Sequence, residues 1–453
     1  MSSTAKPSQP LALKAASKVW FSISLRTFGG PAGQIAVMHD ELVEKRRWIG
    51  EERFLHALSF CTLLPGPEAQ QLAIYLGWLL NGTAGGLIAG ILFVIPGYVA
   101  LMILSAIYAR WGETVGIAAL FAGLGPAVLA IVAQALWRIR KRALTNNFLW
   151  ALSSLSFLAL LVFNIPFPIV VAGAAITGVI ANKSRPQWFI KPPVVVSEQE
   201  AHPLIADEVL HGDRATLAGS IKVLAIGLFL WALPVVIAVI TLGRNHVFVQ
   251  QGLFFSGTAV VTFGGAYAVL SYVAQRAVGV FHWLLPGEMV NGLALAETTP
   301  GPLIMVVQFV GFLGAFRNPG DLNPWVAAFI GSTLVVWVTF VPCFLFVFLG
   351  APHVEGLRKN RIVSAGLTAV TAAVVGVIAN LSVYFALHTL FEKTHRYSYG
   401  IIQTTLPNWG TLNIRSGLLT LLAAVLVFKF KRSTVQVMGI CASVGSVLYL
   451  LAQ

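Results

Sequence analysis

The sequence predicts an all-α polytopic membrane protein built from two homologous repeats. The 453-residue chain is 57% hydrophobic and only 10% charged, it contains long apolar runs, and several of its motifs occur twice at a fixed spacing. Soluble domains contain about 25% charged residues, so most of this chain is too apolar to face water. The apolar runs are continuous rather than alternating, which favours membrane-spanning helices of about 20 residues over the strands of a β-barrel.

The net charge of +13 does not indicate nucleic-acid binding, because the basic residues are scattered between apolar runs. Such a distribution is typical of the positive-inside rule for membrane proteins. Cys61, Cys343 and Cys441 lie far apart without a CxxC spacing, which predicts neither disulfide bonds nor a metal site. The polar N-terminus, residues 1–10, shows no removable signal peptide. No Walker A, HExxH or GxSxG motif is present, so neither a cofactor nor an enzyme is expected.

The chain contains an internal duplication. Three landmarks of the first half recur 235 positions later: Phe28-Gly29-Gly30 as Phe263-Gly264-Gly265, Trp48 as Trp283, and Pro65-Gly66-Pro67 as Pro300-Gly301-Pro302. Extra residues then shift the register, and Pro96 corresponds to Pro342. Similar composition of apolar segments does not preserve the spacing of Gly, Pro and Trp. We therefore interpret the pattern as one unit written twice.

Each copy contains six predicted apolar segments. They span 14–30, 54–80, 85–110, 115–137, 148–164 and 166–182 in the first copy, and 248–263, 289–316, 325–349, 362–390, 413–428 and 434–451 in the second. The predicted domains are a first repeat (1–182), a cytoplasmic polar loop (183–215), a linking transmembrane helix (216–242) and a second repeat (247–453). About thirteen spans result, and an odd number of crossings between equivalent points inverts the second repeat.

Loop charges test this topology. With the N-terminus in the cytoplasm, the basic cluster 138–142 and the basic residues at 358–361 and 429–432 all lie inside, as the positive-inside rule requires. Loop 39–53 fits less well, because it is placed outside although it carries Lys45, Arg46 and Arg47. It also carries five acidic residues, so an amphipathic interfacial helix is an alternative.

Two Pro-Gly-Pro motifs interrupt apolar segments. Proline removes a backbone donor and clashes with the preceding turn, while glycine tolerates the bend. We expect Pro65-Gly66-Pro67 to divide segment 54–80 into two half-helices that meet near mid-membrane, with Pro300-Gly301-Pro302 as its counterpart. Unpaired amides at the positive end of a helix dipole favour an anion. The alternative is that these residues only kink the helices.

The Phe-Gly-Gly motifs form a second pair of breaks. Pro31 follows the first motif and is suited to begin a helix, whereas Ala266 stands at that position in the second copy. The alternative is that Gly29 and Gly30 only permit close helix packing.

Ionisable side chains inside apolar segments are costly and tend to be functional. Arg26 is predicted either to face an anion or to extend towards the membrane interface. Glu68 follows the first Pro-Gly-Pro motif and is predicted either to cap the half-helix or to exchange a proton, and Glu297 is a weaker candidate of the same type.

These motifs resemble the chromate ion transporter family in its long, two-domain form. The matching stretches are FGGPAGQIAVMHDELVEKRRWI, FLHALSFCTLLPGPEAQQLAIYLGWL, FGGAYAVLSYV and GLALAETTPGPLIMVVQFVGFLGAF. The resemblance implies export of chromate across the bacterial inner membrane and chromate resistance, with sulfate as competitor and the FGGP and LPGPEAQQ residues as functional. A homodimer is left open. Together, the residues predicted to bind substrate are Arg26, Thr27, Gly29, Gly30, Pro31, Pro65, Gly66, Pro67, Gln70, Gln71, Gly264, Gly265, Thr298, Thr299, Pro300, Gly301 and Pro302, and the proton-coupling candidates are Glu68 and Glu297.

Electrostatics indicates a direction of transport. One charge moving through a membrane potential is worth about 2.3 kcal/mol per 100 mV, so a dianion leaving an inside-negative cell gains about 4.6 kcal/mol per 100 mV. The alternatives are a sulfate or molybdate carrier, an oxyanion channel, and a membrane enzyme acting on an anion. Chromate and sulfate are both tetrahedral dianions, and the residues alone do not distinguish between them.

Overall fold

The computed structural model describes residues 11–189, 216–263, 266–353, 361–400 and 402–451. Within these ranges the first copy and the linker form eight helices: α1 (Leu13–Ser24), α2 (Gly30–His39), α3 (Glu51–Cys61), α4 (Glu68–Trp111), α5 (Val115–Ala143), α6 (Asn147–Leu161), α7 (Phe167–Ser184) and α8 (Leu217–Leu242). The predicted site residues Gly264 and Gly265, and most of the predicted loop 183–215, lie outside the described residues.

The second copy forms eight more helices in the part of the chain that is described. They are α9 (Val247–Val261), α10 (Ala266–Gly279), α11 (Glu288–Thr298), α12 (Val306–Arg317), α13 (Pro324–Gly350), α14 (Arg361–Leu390), α15 (Ile414–Ala424) and α16 (Thr434–Leu450). Several helices begin at a polar residue whose side chain accepts a bond from a first-turn amide, as a helix N-cap should; these are Asn146, Thr216, Asn323, Asn413 and Ser433.

The predicted helix breaks are present. Between α3 and α4 the chain is non-helical from 62 to 67, and between α11 and the short 3₁₀ turn that precedes α12 it is non-helical from 299 to 302. Helix α4 has a further break, because Asn81 and Gly82 have non-helical dihedral angles. Its second part, 83–111, is therefore a separate helix of about 43 Å, longer than the hydrocarbon core of about 30 Å.

In the part of the chain that the structure describes, six helices are long and apolar enough to cross a membrane. They are Glu68–Trp111, Val115–Ala143, Phe167–Ser184, Leu217–Leu242, Pro324–His353 and Arg361–Leu390. Four shorter apolar helices accompany them, including Val247–Val261 and Leu303–Arg317. The chain is accordingly a helical multi-pass membrane protein.

Segment 289–316, counted from the sequence as one membrane crossing, folds back on itself. Arg317, directly after the segment, donates hydrogen bonds of 2.6 Å and 2.7 Å to the carboxylate of Glu288, directly before it, and a third of 3.0 Å to the carbonyl oxygen of Trp283. Helices α11 and α12 are therefore the two arms of a hairpin whose tip is the Pro-Gly-Pro break. The sequence did not reveal this because the ion pair joins residues 29 positions apart.

Helices of each copy pack against helices of the other copy. Helix α5 of the first copy packs on α15 and α16 of the second, and α14 of the second copy packs on α6 and α7 of the first. Glycines permit the closest approach: a side chain on Gly445 would collide with Gly123, and one on Gly178 would collide with Ala369. Such contacts between small residues are typical of helix packing in membranes. The repeats thus form one interlocked body.

One element departs from the all-α prediction. Strands β1 (Thr394–Tyr399) and β2 (Ile402–Pro407) form an antiparallel hairpin between α14 and α15, with Arg396 opposite Thr405. The amide of Gln403 donates a 2.7 Å bond to the carbonyl oxygen of Val162, which fastens the hairpin to the end of α6.

Candidate functional site

The helix breaks of the two repeats are bonded to each other. The amide of Gly66 donates a 2.7 Å hydrogen bond to the carbonyl oxygen of Thr262, and the amide of Gly301 donates a 2.9 Å bond to the carbonyl oxygen of Thr27. Gly301 is the counterpart of Gly66, and Thr262 is the counterpart of Thr27, at the same offset of 235. The exchange is reciprocal, so a local pseudo-twofold relation holds between the two pairs of residues.

Both Pro-Gly-Pro glycines have backbone angles that favour glycine. Gly66 has φ 122° and Gly301 has φ 103°, a region that residues with a Cβ rarely adopt. A Cβ on Gly66 would lie 2.8 Å from Nε2 of Gln71 and 3.0 Å from Sγ of Cys343. A Cβ on Gly301 would lie 3.4 Å from Cα of Gly97. Substitution at Gly66 is thus the more crowded of the two.

Each Pro-Gly-Pro break packs against a long helix of the other repeat. Gly97 is the central residue of helix 83–111 and packs against Gly301. Cys343, which packs against Gly66, follows Pro342 just as Gly97 follows Pro96. Each break therefore packs against the corresponding helix of the other repeat: Gly301 at the centre of helix 83–111, and Gly66 in the C-terminal third of α13.

Helix starts gather around these breaks. Helix α4 begins directly after the first Pro-Gly-Pro motif, and neither it nor α2 has a side-chain N-cap. Helix α2 begins at Gly30 with Pro31 in its first turn, and Gly29 before it has φ 78°. The first-turn amides of such helices lack intrahelical acceptors, and the helix dipole makes these ends favourable for an anion.

Polar side chains connect the two pairs of breaks. Nε2 of Gln34 donates a 2.6 Å bond to the carbonyl oxygen of Gly301, and Nε2 of Gln71 donates a 2.6 Å bond to that of Pro65. The Tyr267 hydroxyl donates a 2.6 Å bond to Oε1 of Glu297 and approaches Gly30. Tyr267 thus links the start of α10 to the end of α11, close to the start of α2.

Several buried polar atoms in this region have no hydrogen-bond partner in the described part of the chain. Gln70 is fully buried and neither Nε2 nor Oε1 is bonded. The same holds for Oε1 of Gln71, Oε2 of Glu297 and Oε1 of Gln308. Native proteins leave few buried polar atoms unpaired, so this cluster is suited to a polar ligand or to water.

The predicted residues divide into two groups. Gly29, Gly30, Pro31, Pro65, Gly66, Pro67, Gln70, Gln71, Pro300, Gly301 and Pro302 line or form the breaks, as does the backbone of Thr27. The hydroxyl groups of Thr27, Thr298 and Thr299 instead bond to carbonyl oxygens of their own helices. Among the described residues, half-buried Glu68 has no hydrogen-bond or ion-pair partner.

Arg26 is paired with an acid. Its guanidinium donates to a carboxylate oxygen of Glu41, and Nε of Arg46 donates a 2.9 Å bond to the other oxygen. Burial alone would raise the pKa of Glu41, but the hydrogen bonds and charges of the two arginines outweigh it and lower that pKa below its usual 4.5. Arg26 is 43% exposed, so its positive charge is partly neutralised and partly solvated. Its role as a substrate-binding residue remains a prediction.

Sequence reasoning missed four contributors to the site: Gln34, Glu41, Tyr267 and Thr262. Gln34 and Tyr267 lie in the helices that follow the Phe-Gly-Gly motifs, where their polarity within apolar stretches was a usable signal. Nothing local marks the carbonyl of Thr262 as an acceptor. Within the described ranges, no group of three or more His, Cys, Asp or Glu side chains is placed to hold a metal ion.

Comparison with known proteins identifies the family. The profile of the chromate transporter family matches residues 15–179 and again 249–446. This chain belongs to the chromate transporter family. The chromate transport protein of Cupriavidus metallidurans is 27% identical over 427 residues, covering 94% of this chain and 90% of that protein. The chromate transport protein of Pseudomonas aeruginosa is 31% identical over 373 residues, covering 81% and 79%.

A third relative is a probable chromate transport protein of Synechococcus elongatus, 27% identical over 381 residues and covering 84% of this chain. No solved structure matches this chain significantly. The family profile matches both halves of the chain, which confirms the family resemblance.

Proposed function

We propose that this protein is a secondary transporter that carries chromate out of the cytoplasm across the bacterial inner membrane and thereby confers chromate resistance. The observation that supports this most strongly is the reciprocal bonding of the two helix breaks, which brings helix starts and buried polar atoms together. Family membership supplies the substrate.

The substrate site is formed by the first turn of α4 and its counterpart at Leu303–Met305. The amides of Gly66 and Gly301 are occupied by Thr262 and Thr27, so the donors are the amides that follow each Pro-Gly-Pro motif. The side chain of Gln70 adds a buried donor. A tetrahedral oxyanion accepts hydrogen bonds in several directions, and such bonds to a charged acceptor are stronger than neutral ones.

The two repeats have opposite orientations in the membrane. Helix 83–111 and helices α5 to α8 give five full crossings between the last hairpin of the first repeat and the first hairpin of the second. An odd number of crossings between equivalent points inverts the second repeat. The thirteen-span arrangement expected from the sequence gives the same inversion. If all four broken pairs dip into the membrane and return, as α11 and α12 do, the total is nine crossings. Loop 40–50 then lies in the cytoplasm, where its basic residues satisfy the positive-inside rule.

Export needs no cation gradient. A dianion leaving an inside-negative cell gains about 4.6 kcal/mol per 100 mV. Proton exchange through Glu68 or Glu297 is compatible with this scheme, but the membrane potential alone suffices to drive export. Sulfate, which has the same shape and charge, is the expected competitor.

Transport of labelled chromate into everted membrane vesicles tests the proposal. The vesicle lumen corresponds to the periplasm, so respiring vesicles should accumulate chromate, an ionophore that collapses the potential should reduce accumulation, and excess sulfate should slow it. Vesicles without the protein are the control. Accumulation of sulfate or molybdate without chromate would identify the rival carrier, and unsaturable flux without counterflow would identify a channel. Chromate accumulation equal to that of control vesicles would refute the proposal.

A further inference from the structure

A cavity of about 460 Å³ lies beneath the β-hairpin. It is bounded by α10, α14, the end of α6 and both strands, and we call it the hairpin pocket. Its ionisable lining residues are Arg276, Arg396, His388, Tyr272 and Tyr384. The described lining contains neither Asp nor Glu. The volume far exceeds the roughly 30 Å³ that one water occupies in the liquid, so a hydrated anion fits.

One face of the hairpin closes this pocket. Side chains alternate between the faces of a strand, and the pairing of Arg396 with Thr405 places both on the same face as Thr394 and Gln403. All four line the pocket, and Thr404 of the alternate set also borders it. Nη2 of Arg396 donates a 3.3 Å bond to Oε1 of Gln403, which keeps the guanidinium on that face.

The cationic groups of the pocket lack acidic partners. Within the described chain neither Arg276 nor Arg396 forms an ion pair. Nε of Arg276 and the hydroxyl of Tyr384 are buried without a hydrogen-bond partner. The guanidinium of Arg276 lies over the ring of Phe281, 5.2 Å from its centroid. A partly buried guanidinium with free donors is stabilised by an anion.

A polar stripe leads from the helix breaks to this pocket. Tyr267, Ser271 and Gln275 are spaced by four residues along α10, so they lie on one face of that helix. Tyr267 is bonded to Glu297 at the candidate site, Ser271 accepts a 3.3 Å bond from Asn380, and Gln275 lines the pocket beside Arg276.

From these contacts we infer that the hairpin pocket is a second oxyanion site, at which a tetrahedral dianion binds between Arg276 and Arg396. The inference rests on the proposed function, because the hairpin pocket would be a binding site on the path of the transported anion, on one side of the helix breaks. Arginine suits this role because its planar guanidinium presents paired donors to an oxyanion.

Protection from thiol labelling tests the inference in the detergent-purified protein. Thr405→Cys places a thiol in the pocket, and Cys61, Cys343 and Cys441 are buried, so the unmodified protein gives the background rate. Sulfate is the probe, since chromate would oxidise the thiol. At ten times its dissociation constant sulfate leaves about a tenth of the sites free, so labelling by a small thiosulfonate should slow about tenfold.

The Arg276→Gln/Arg396→Gln pair in the Thr405→Cys background should abolish protection, and Arg396→Gln alone, at an exposed position, should weaken it. Arg432→Gln, an exposed arginine elsewhere, should leave it unchanged. Absence of sulfate protection, or full protection in the double variant, would overturn the inference. Chromate transport measured on the same proteins separates the two claims. Chromate transport without sulfate protection would refute only the anion site in the hairpin pocket. Sulfate protection without chromate transport would refute the proposed function.

Discussion

The amide nitrogen of Gly66 lies 2.7 Å from the carbonyl oxygen of Thr262, and this bond joins the helix break of one repeat to a helix break of the other. The equivalent bond in the opposite direction is the 2.9 Å bond from the amide of Gly301 to the carbonyl oxygen of Thr27. Because each break uses a carbonyl of the opposite repeat, neither repeat can form its half of the site alone. A displacement of one repeat relative to the other would therefore act on both bonds together.

The first prediction concerns loop 40–50. If the broken helix pairs dip and return, Glu44→Cys should react with a membrane-impermeant maleimide from the cytoplasmic side, in everted vesicles but not in intact cells. Tyr399→Cys, at a position that is 86% exposed on the β-hairpin, is the matched control and should show the opposite pattern. Labelling of Glu44→Cys in intact cells would instead support thirteen crossings.

Gln70 carries a second prediction, in which stability and function move in opposite directions. Both polar atoms of this buried side chain lack a partner among the described residues, and an unsatisfied buried group costs about 1–3 kcal/mol. Gln70→Met should therefore raise the melting temperature of the empty protein while reducing the stabilisation that added chromate or sulfate gives. Leu72→Met, a buried apolar position two residues away, controls for packing. A variant that is less stable and binds anion normally would show that Gln70 has another partner.

A feature of this fold could be predicted from the sequence when the residues that determine it lie close together in the chain. The duplication, the break at Asn81 and Gly82 and the half-helix ends at both Pro-Gly-Pro motifs depend on Gly and Pro at fixed positions, and they were predictable. The bonds between the breaks were not, because they join residues about 200–270 positions apart whose neighbours carry no sign of pairing. The β-hairpin was missed because its strands follow a long apolar helix and contain few apolar residues themselves.

Arg26 is the subject of the third prediction. If its role is to hold Glu41, then Arg26→Gln should impair transport and Arg26→Gln/Glu41→Gln should restore it, because the single variant leaves the buried carboxylate with Arg46 as its remaining cationic partner and the double variant removes that carboxylate. If Arg26 binds the dianion, the double variant should transport no better than the single one. The measurement is the affinity for chromate in vesicles, analysed as a double-mutant cycle.

The Arg26–Glu41 pair also sets a pH limit. The pKa of Glu41 is lowered in the folded protein, so its contribution to stability is complete above the unfolded pKa, near 4.5, and is lost as pH falls through the folded pKa. Transport assays near neutral pH therefore do not titrate this pair. Thermal unfolding of wild-type protein and Glu41→Gln at pH 7 and at acidic pH should show a difference that shrinks in acid.

Glu68 is the subject of the fourth prediction. A carboxylate that exchanges protons during transport should impose a pH dependence on the rate, and Glu68→Gln should flatten it while leaving chromate binding largely intact. A helix cap would tolerate glutamine with an unchanged pH profile. The pH profile of initial transport rates distinguishes these roles. Glu297→Gln serves as the comparison, since glutamine still accepts the bond from Tyr267.

The central claim, that substrate binds at the reciprocal helix breaks, is tested most directly by chromate transport in everted vesicles carrying Gly66→Leu. A leucine there meets Gln71 and Cys343 and has an unfavourable backbone angle, so transport should be lost although the protein reaches the membrane. Gly301→Leu should be impaired but less severely, and Gly173→Leu, where a Cβ meets nothing within 4 Å, should transport as wild type does. Wild-type transport by well-expressed Gly66→Leu and Gly301→Leu proteins would contradict the claim and leave the breaks as simple kinks.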